Sequence, residues 1–181
     1  MNAYAVAVIP PKNIAEMVDF YRRKYAKYTS YAIVPHLTII PPFYIQSGDE
    51  AEIIGVLEAG FKGTKPEKVV IEKIGYFEGK NNIAFFQPDS RSSAFLRNLL
   101  IKATGMLSGR VKNVYDDYSF APEEFKFHMT IAEAIPGEHL PKIKEELSSV
   151  VFRDSFLVSS VYLFRNLNDS NIWSELVEIK F

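Results

Sequence analysis

The decisive stretch is VPHLTIIPPF, residues Val34–Phe43, read beside a later one, KFHMTIAEAI, residues Lys126–Ile135. The chain holds only three histidines, and two of them open the same tetrapeptide: His36-Leu37-Thr38-Ile39 and His128-Met129-Thr130-Ile131. Apolar residues alternating with Thr suggest a strand, whose successive side chains take opposite faces. His36 and Thr38 then share one face while Leu37 and Ile39 enter the core. The same holds for His128 and Thr130 against Met129 and Ile131. Each motif therefore presents an imidazole and a hydroxyl side by side from an anchored backbone. A single match would carry little weight; two among three histidines call for a common cause.

Outward from these motifs the elements fall into a repeating order. Ala3–Ile9 is a short apolar strand closed by Pro10-Pro11. Lys12–Tyr28 has helical spacing, with Ile14, Met17, Val18, Tyr21, Tyr25 and Tyr28 on one side. The strand Leu37–Ile45 contains Pro41-Pro42, which places it at an edge, an end or a bulge. Asp49 caps a helix running to Phe61, and strand Lys68–Tyr76 follows. The second series is strand Ile83–Gln87, helix Ser92–Met106, the His128 strand, helix Glu138–Leu147 and strand Val151–Phe164. After the NLNDSN turn a last strand, Ile172–Phe181, closes the chain. Approximate halves 1–81 and 82–181 thus share one element order within a single domain, 1–181. A pseudo-twofold axis between them would bring His36 and His128 to one cleft. Phe85 and Phe127 read as core and Trp173 as packing for the last strand. Ser108–Phe125 reads as a cleft-side loop or a plain connector.

Composition narrows the function classes. With 48% hydrophobic and 24% charged residues the chain is that of a globular protein. A net charge of -1 gives no basic surplus for long nucleic acid, so a nucleic-acid substrate would be small or held by a local patch. The absence of cysteine excludes disulfides, thiolate nucleophiles and Cys-based metal sites. MNAYAVAVIPPK lacks a basic leader and reads as a first strand, and no apolar run approaches a membrane span of about 20 residues. A soluble, cytoplasmic monomer is the expectation.

Histidine titrates near neutrality, so of two facing rings one can be neutral and the other charged, as general base and general acid require. Thr hydroxyls donate to developing negative charge. Two acid–base groups and two donors fit a phosphodiester, with two in-line oxygens and two anionic ones. No metal or cofactor is expected, because His-x-Thr does not supply the usual three ligands. No GxSxG elbow, GxxxxGK[ST] loop or GxGxxG fingerprint occurs. The third histidine, His139, lies outside the pattern, in the exposed first turn of a helix. Three further residues are candidates for substrate binding. Arg165 ends its strand where a guanidinium could meet a phosphate, Lys126 precedes the second motif, and Tyr44 follows the first and could stack on a base. Each also has a plain reading as a solvated charge or a packing ring.

The paired His-x-Thr-x motifs in a chain of this length resemble the two-histidine (2H) phosphoesterase superfamily, which includes 2'-5' RNA ligase-like proteins and cyclic phosphodiesterases. PHLTIIPPF looks most like the bacterial YjcG-type members. The resemblance implies a bilobal α+β fold, with two antiparallel-rich sheets around a central cleft and helices outside. It also implies His36 and His128 as catalytic acid and base, with Thr38 and Thr130 steadying the phosphate. The implied substrates are 2',3'-cyclic phosphates or 2'-5' linkages of nucleotides or small RNA, without an obligatory metal. A rival from another class is an RNA- or nucleotide-binding protein with the same cleft and little turnover.

Overall fold

The structure is a computed structural model, and it describes residues 1–30, 32–115, 122–167 and 172–181. Nine strands and four helices follow one another among these residues. β1 (Ala3–Val8) and β2 (Leu37–Ile45) lie in a five-stranded sheet ordered β5-β2-β1-β8-β9, with β5 Val111–Asn113, β8 Ser160–Asn166 and β9 Trp173–Lys180. β3 (Glu67–Phe77), β4 (Asn82–Pro88), β6 (Met129–Ile135) and β7 (Asp154–Val158) form a second sheet ordered β6-β4-β3-β7. Every neighbouring pair is antiparallel. The architecture is the expected α+β arrangement of two antiparallel sheets.

Helix boundaries follow from local chemistry. α1 (Lys12–Lys24) turns Ile14, Val18 and Arg22 inward and stops short of the expected Tyr28, with Ala26–Tyr28 forming a separate 3-10 turn. α2 (Glu50–Phe61) starts at Asp49, whose carboxylate accepts from the Glu52 amide at 2.9 Å. α3 (Ser90–Leu107) starts the same way at Asp89, which accepts from the Ser92 amide at 2.7 Å. α4 (Leu140–Ser148) has Pro141 in its first turn, where a missing N–H costs nothing.

The expected strand Val151–Phe164 is in fact two. It breaks at Ser159, and β7 joins one sheet while β8 joins the other. Alternation alone cannot reveal such a crossing, because both pieces keep the period of two. The halves 1–81 and 82–181 are likewise not the two sheets: β3 from the first half pairs with β4, and β8 from the second pairs with β1. Helices cross too, with α1 packed on β6 and α3 on β2. Ser108–Phe125 contains β5, and its residues 116–121 lie outside the described residues, as do 168–171 of the expected NLNDSN turn.

The two halves do repeat, and more closely than their sequences show. β2 pairs with β1 through Leu37↔Val8, Thr38↔Ala7, Ile40↔Val6 and Phe43↔Tyr4. β6 pairs with β4 through Met129↔Phe86, Thr130↔Phe85, Ala132↔Ala84 and Ile135↔Asn82. One register is the other moved by a constant 92 residues (128 minus 36) on the histidine strand and 78 (86 minus 8) on the central one. Both strands bulge at the residue after Thr, Ile39 or Ile131, and again at Pro41-Pro42 or Glu133-Ala134. A bulge adds one residue and turns the following side chains over. Ala134 carries a positive φ of 49°, which fits an irregularity at the second bulge.

Removing a helix cap tests the boundary chemistry. Asp89→Ala should cost about 1 kcal/mol, read as a lower denaturant midpoint with unchanged slope.

Candidate active site

Each motif sits at the start of a strand, with the histidine just before the first paired residue. Leu37, Ile39, Met129 and Ile131 are fully buried. His36, Thr38, His128 and Thr130 all line one cavity of about 480 Å³. The expected facing of the two motifs is therefore present in the fold, and the volume is in the range of small-ligand sites.

The two imidazoles are held identically. His36 Nδ1 bonds the Val34 carbonyl at 2.8 Å, and His128 Nδ1 bonds the Lys126 carbonyl at 2.8 Å, each two residues back. A carbonyl only accepts, so in both rings Nδ1 carries the proton and Nε2 keeps the lone pair when the ring is neutral. Neither Nε2 has a hydrogen-bond partner among the described residues. The Thr38 and Thr130 hydroxyls are likewise without a protein partner among the described residues, and both stand at the cavity wall. An aromatic ring backs each histidine from the strand beyond the central one. Phe164 lies 6.3 Å from His36 and Phe77 lies 5.0 Å edge-on to His128, and the two occupy matching registers opposite Ala5 and Ile83.

Electrostatics separate the pair. Burial pushes His36 down to about 4, outweighing the Val34 hydrogen bond, and the nearby His128 and Arg22 charges push the same way. Burial also lowers His128, against its bond to Lys126. Arg22 comes from the buried side of α1. Its guanidinium pairs with Asp19 at 3.1 Å and bonds the carbonyls of Ser30 at 2.5 Å and Ile33 at 3.1 Å. It thereby braces the segment leading to Val34 and His36 while itself lining the cavity. The Trp173 amide pins the same segment by donating to the Ala32 carbonyl at 2.8 Å.

The other expected site residues are placed differently. Arg165 pairs in register with Tyr4, on the sheet face opposite the cavity, and its guanidinium meets Glu50 at 3.0 Å. The Glu50 carboxylate also accepts from the Tyr4 hydroxyl at 3.0 Å. Arg165 thus ties α2 to the back of the sheet and does not reach the cavity. Tyr44 lies two residues past Pro42 on β2, beyond the cavity lining. Lys126 supplies the carbonyl that holds His128, while its ammonium sits 5.9 Å over the Phe77 ring and does not line the cavity. His139 is the N-cap residue of α4, and its Nδ1 lies 2.6 Å from the Tyr28 hydroxyl. Phe85 and Phe127 are buried as expected, though Phe85 also touches His128 at 5.1 Å. Trp173, expected only to pack its strand, lines the cavity as well.

Arg22, Phe77, Tyr115 and Glu133 are among the cavity residues that the sequence does not single out. For Arg22 a signal existed: it continues the apolar series Ile14, Val18 at the next helical step, where a charge has no reason to sit unless partnered.

Comparison with known proteins settles the family. The profile of the 2'-5' RNA ligase superfamily matches residues 10–170. The chain belongs to this superfamily of two-histidine phosphoesterases. Among its relatives is a Staphylococcus aureus (strain Newman) protein named "Putative phosphoesterase", 27% identical over 175 residues that cover 97% of this chain and 96% of the other. In fold the chain resembles Escherichia coli LigT solved with 3'-AMP, with a TM-score of 0.63 at 10% identity over 99% of this chain and 97% of that one. It also resembles TT0787 of Thermus thermophilus, with a TM-score of 0.58 at 16% identity over 98% and 97% of the two chains. Among the described residues no helix is long and apolar enough to cross a membrane.

A glycine guards the His128 side. A methyl on Gly75 would lie 2.4 Å from the Phe85 ring, which itself packs on Phe77 at 4.5 Å and on His128. Gly75→Ala should therefore push Phe85 toward His128. We expect a loss of about 1–3 kcal/mol in stability and a fall in turnover beyond what the stability loss explains, read by thermal unfolding and steady-state kinetics.

Proposed function

We propose that the protein is a metal-independent phosphoesterase acting on 2',3'-cyclic phosphates or 2'-5' phosphodiester linkages of nucleotides or small RNA, by two-histidine general acid–base catalysis. One observation carries the reading: two imidazoles with backbone-fixed Nδ1–H groups offer their Nε2 atoms to one cavity, each beside a Thr hydroxyl without a protein partner among the described residues. His36 and His128 are the catalytic pair, and Thr38 and Thr130 donate to the non-bridging phosphate oxygens.

Roles follow from the electrostatics. His36, disfavoured as a cation by burial, His128 and Arg22, is the general base; His128 is the acid. In hydrolysis of a cyclic phosphate, water attacks phosphorus while His36 Nε2 takes its proton. The bond from phosphorus to one ribose oxygen breaks, and His128 protonates that oxygen. With a ribose 5'-hydroxyl in place of water, the same transfers leave a 2'-5' bond when the 3'-oxygen departs. The enzyme works as a cytoplasmic monomer in this reading.

Hydrolysis of a panel of nucleoside 2',3'-cyclic phosphates and 2'-5' dinucleotides tests it. His36→Ala and His128→Ala should each lose about 100- to 10,000-fold in kcat. Thr38→Val and Thr130→Val should each lose about 100-fold. EDTA should leave the rate unchanged. Wild-type protein that binds nucleotides but turns over none of the panel would favour a binding protein instead.

A protonation signature follows as well. With both rings held below the usual histidine range, the empty site is neutral near pH 7. An anionic phosphate favours the charged ring and raises its pKa, so binding should draw in a proton. Calorimetry of a cyclic phosphate analogue in two buffers of different ionisation heat should show net proton uptake near about pH 6, with affinity rising as pH falls. Proton release, or a buffer-independent heat, would contradict it.

A further inference from the structure

Features shared by both halves of the site and features that differ between them divide the cavity into two functions. Shared are the histidine, the threonine, the carbonyl that fixes the ring, the bulge after Thr and the backing aromatic ring. These face a phosphate, whose entering and leaving oxygens are chemically alike. What differs must meet the rest of the substrate, which is not symmetric. The sharpest difference lies at the second bulge, Pro41-Pro42 in one half and Glu133-Ala134 in the other: Glu133 lines the cavity, its equivalent Pro41 does not, and Pro42 lines it instead.

Glu133 is an odd residue for an anion site. The bulge at Ile131 turns Ala132 into the core and brings Glu133 to the cavity wall. Its carboxylate makes no hydrogen bond or ion pair among the described residues. Among those residues no lysine lines the cavity, and the arginine that does, Arg22, spends its guanidinium on Asp19 and on the carbonyls of Ser30 and Ile33. Such a site tolerates one phosphodiester charge and disfavours several. A carboxylate there is repelled by phosphate and accepts hydrogen bonds only, so it must face a part of the substrate that donates them. It stands three strand residues beyond Thr130, roughly 10 Å along an extended chain and less across a bulge. That is about the span from a nucleotide's phosphate to its base.

We propose that Glu133 is the specificity-determining residue of the cleft and that it selects guanine, a proposal that rests on the phosphoesterase reading above. Guanine presents two adjacent donors, N1–H and the exocyclic N2–H, matching the two carboxylate oxygens in a charge-assisted pair. Adenine and cytosine offer one exocyclic amine beside an acceptor nitrogen, and uracil one N–H flanked by carbonyl oxygens that repel a carboxylate. The rings of Phe77 and Trp173 line the same cavity and supply faces for stacking a base.

The test compares guanine with uracil in wild type and Glu133→Gln, by two readouts. One is kcat/KM for the 2',3'-cyclic phosphates; the other is calorimetric affinity for the nucleoside 3'-monophosphates, which needs no turnover. Wild type should prefer guanine at least tenfold. Glu133→Gln, which keeps the size but replaces one acceptor by a donor, should collapse that ratio at least tenfold. No preference in wild type, or an equal loss on both bases in the variant, would overturn the proposal. If no cyclic phosphate is hydrolysed, the phosphoesterase reading fails by itself, and the affinity ratio still decides whether Glu133 reads guanine.

Discussion

A histidine ring has two nitrogens, and what the two rings can offer to this cavity depends on which one keeps the proton. The backbone decides it. In both motifs the carbonyl two residues before the histidine accepts from Nδ1 at 2.8 Å, so each neutral ring must offer its Nε2 lone pair to the cavity. No side chain is required for this, and any residue type at Val34 or Lys126 supplies the carbonyl. What is required is that the segment before each strand hold its shape. Before His36 that task falls to Arg22, through the carbonyls of Ser30 and Ile33, and to the Trp173 amide on Ala32. A cation buried to brace a loop also bears on the nearest titrating group, and Arg22 adds to the burial that keeps His36 uncharged. Structural support and the electrostatics of His36 are thus one arrangement.

The bulges carry the second half of the design. Leu37, Ile39 and Ile40 are all fully or almost fully buried, as are Met129, Ile131 and Ala132. A regular strand cannot send both Ile39 and Ile40 to the core; an extra residue after Thr can. The bulge lets two successive apolar side chains anchor each motif, and in the second half it brings Glu133 to the cavity. Exchange of β3 and β8 between the halves, with α1 and α3 crossing as well, makes each sheet depend on the whole chain.

What could be read in the sequence was what depends on short patterns. Two tetrapeptides with alternating polarity placed the histidines and threonines on one face, and the Leu37–Ile45 strand and the Asp49 cap were legible from their own residues. Pro41-Pro42 rightly signalled an end, an edge or a bulge, and a bulge is what it marks. Arg165 misled because a strand-end arginine has two faces to choose from. Its partner Glu50 lies 115 residues away, out of reach of any local pattern. The Ser159 break and the turning of Glu133 were equally invisible, since both depend on register against another strand.

Nitrogen-15 NMR of the two imidazoles, without and with a cyclic phosphate analogue, decides whether the backbone sets the tautomer. Two neutral rings at pH 7 with the proton on Nδ1 are expected, one of them becoming an imidazolium when the anion binds. A ring protonated on Nε2 in the free protein, or no change in either ring on binding, would contradict this expectation.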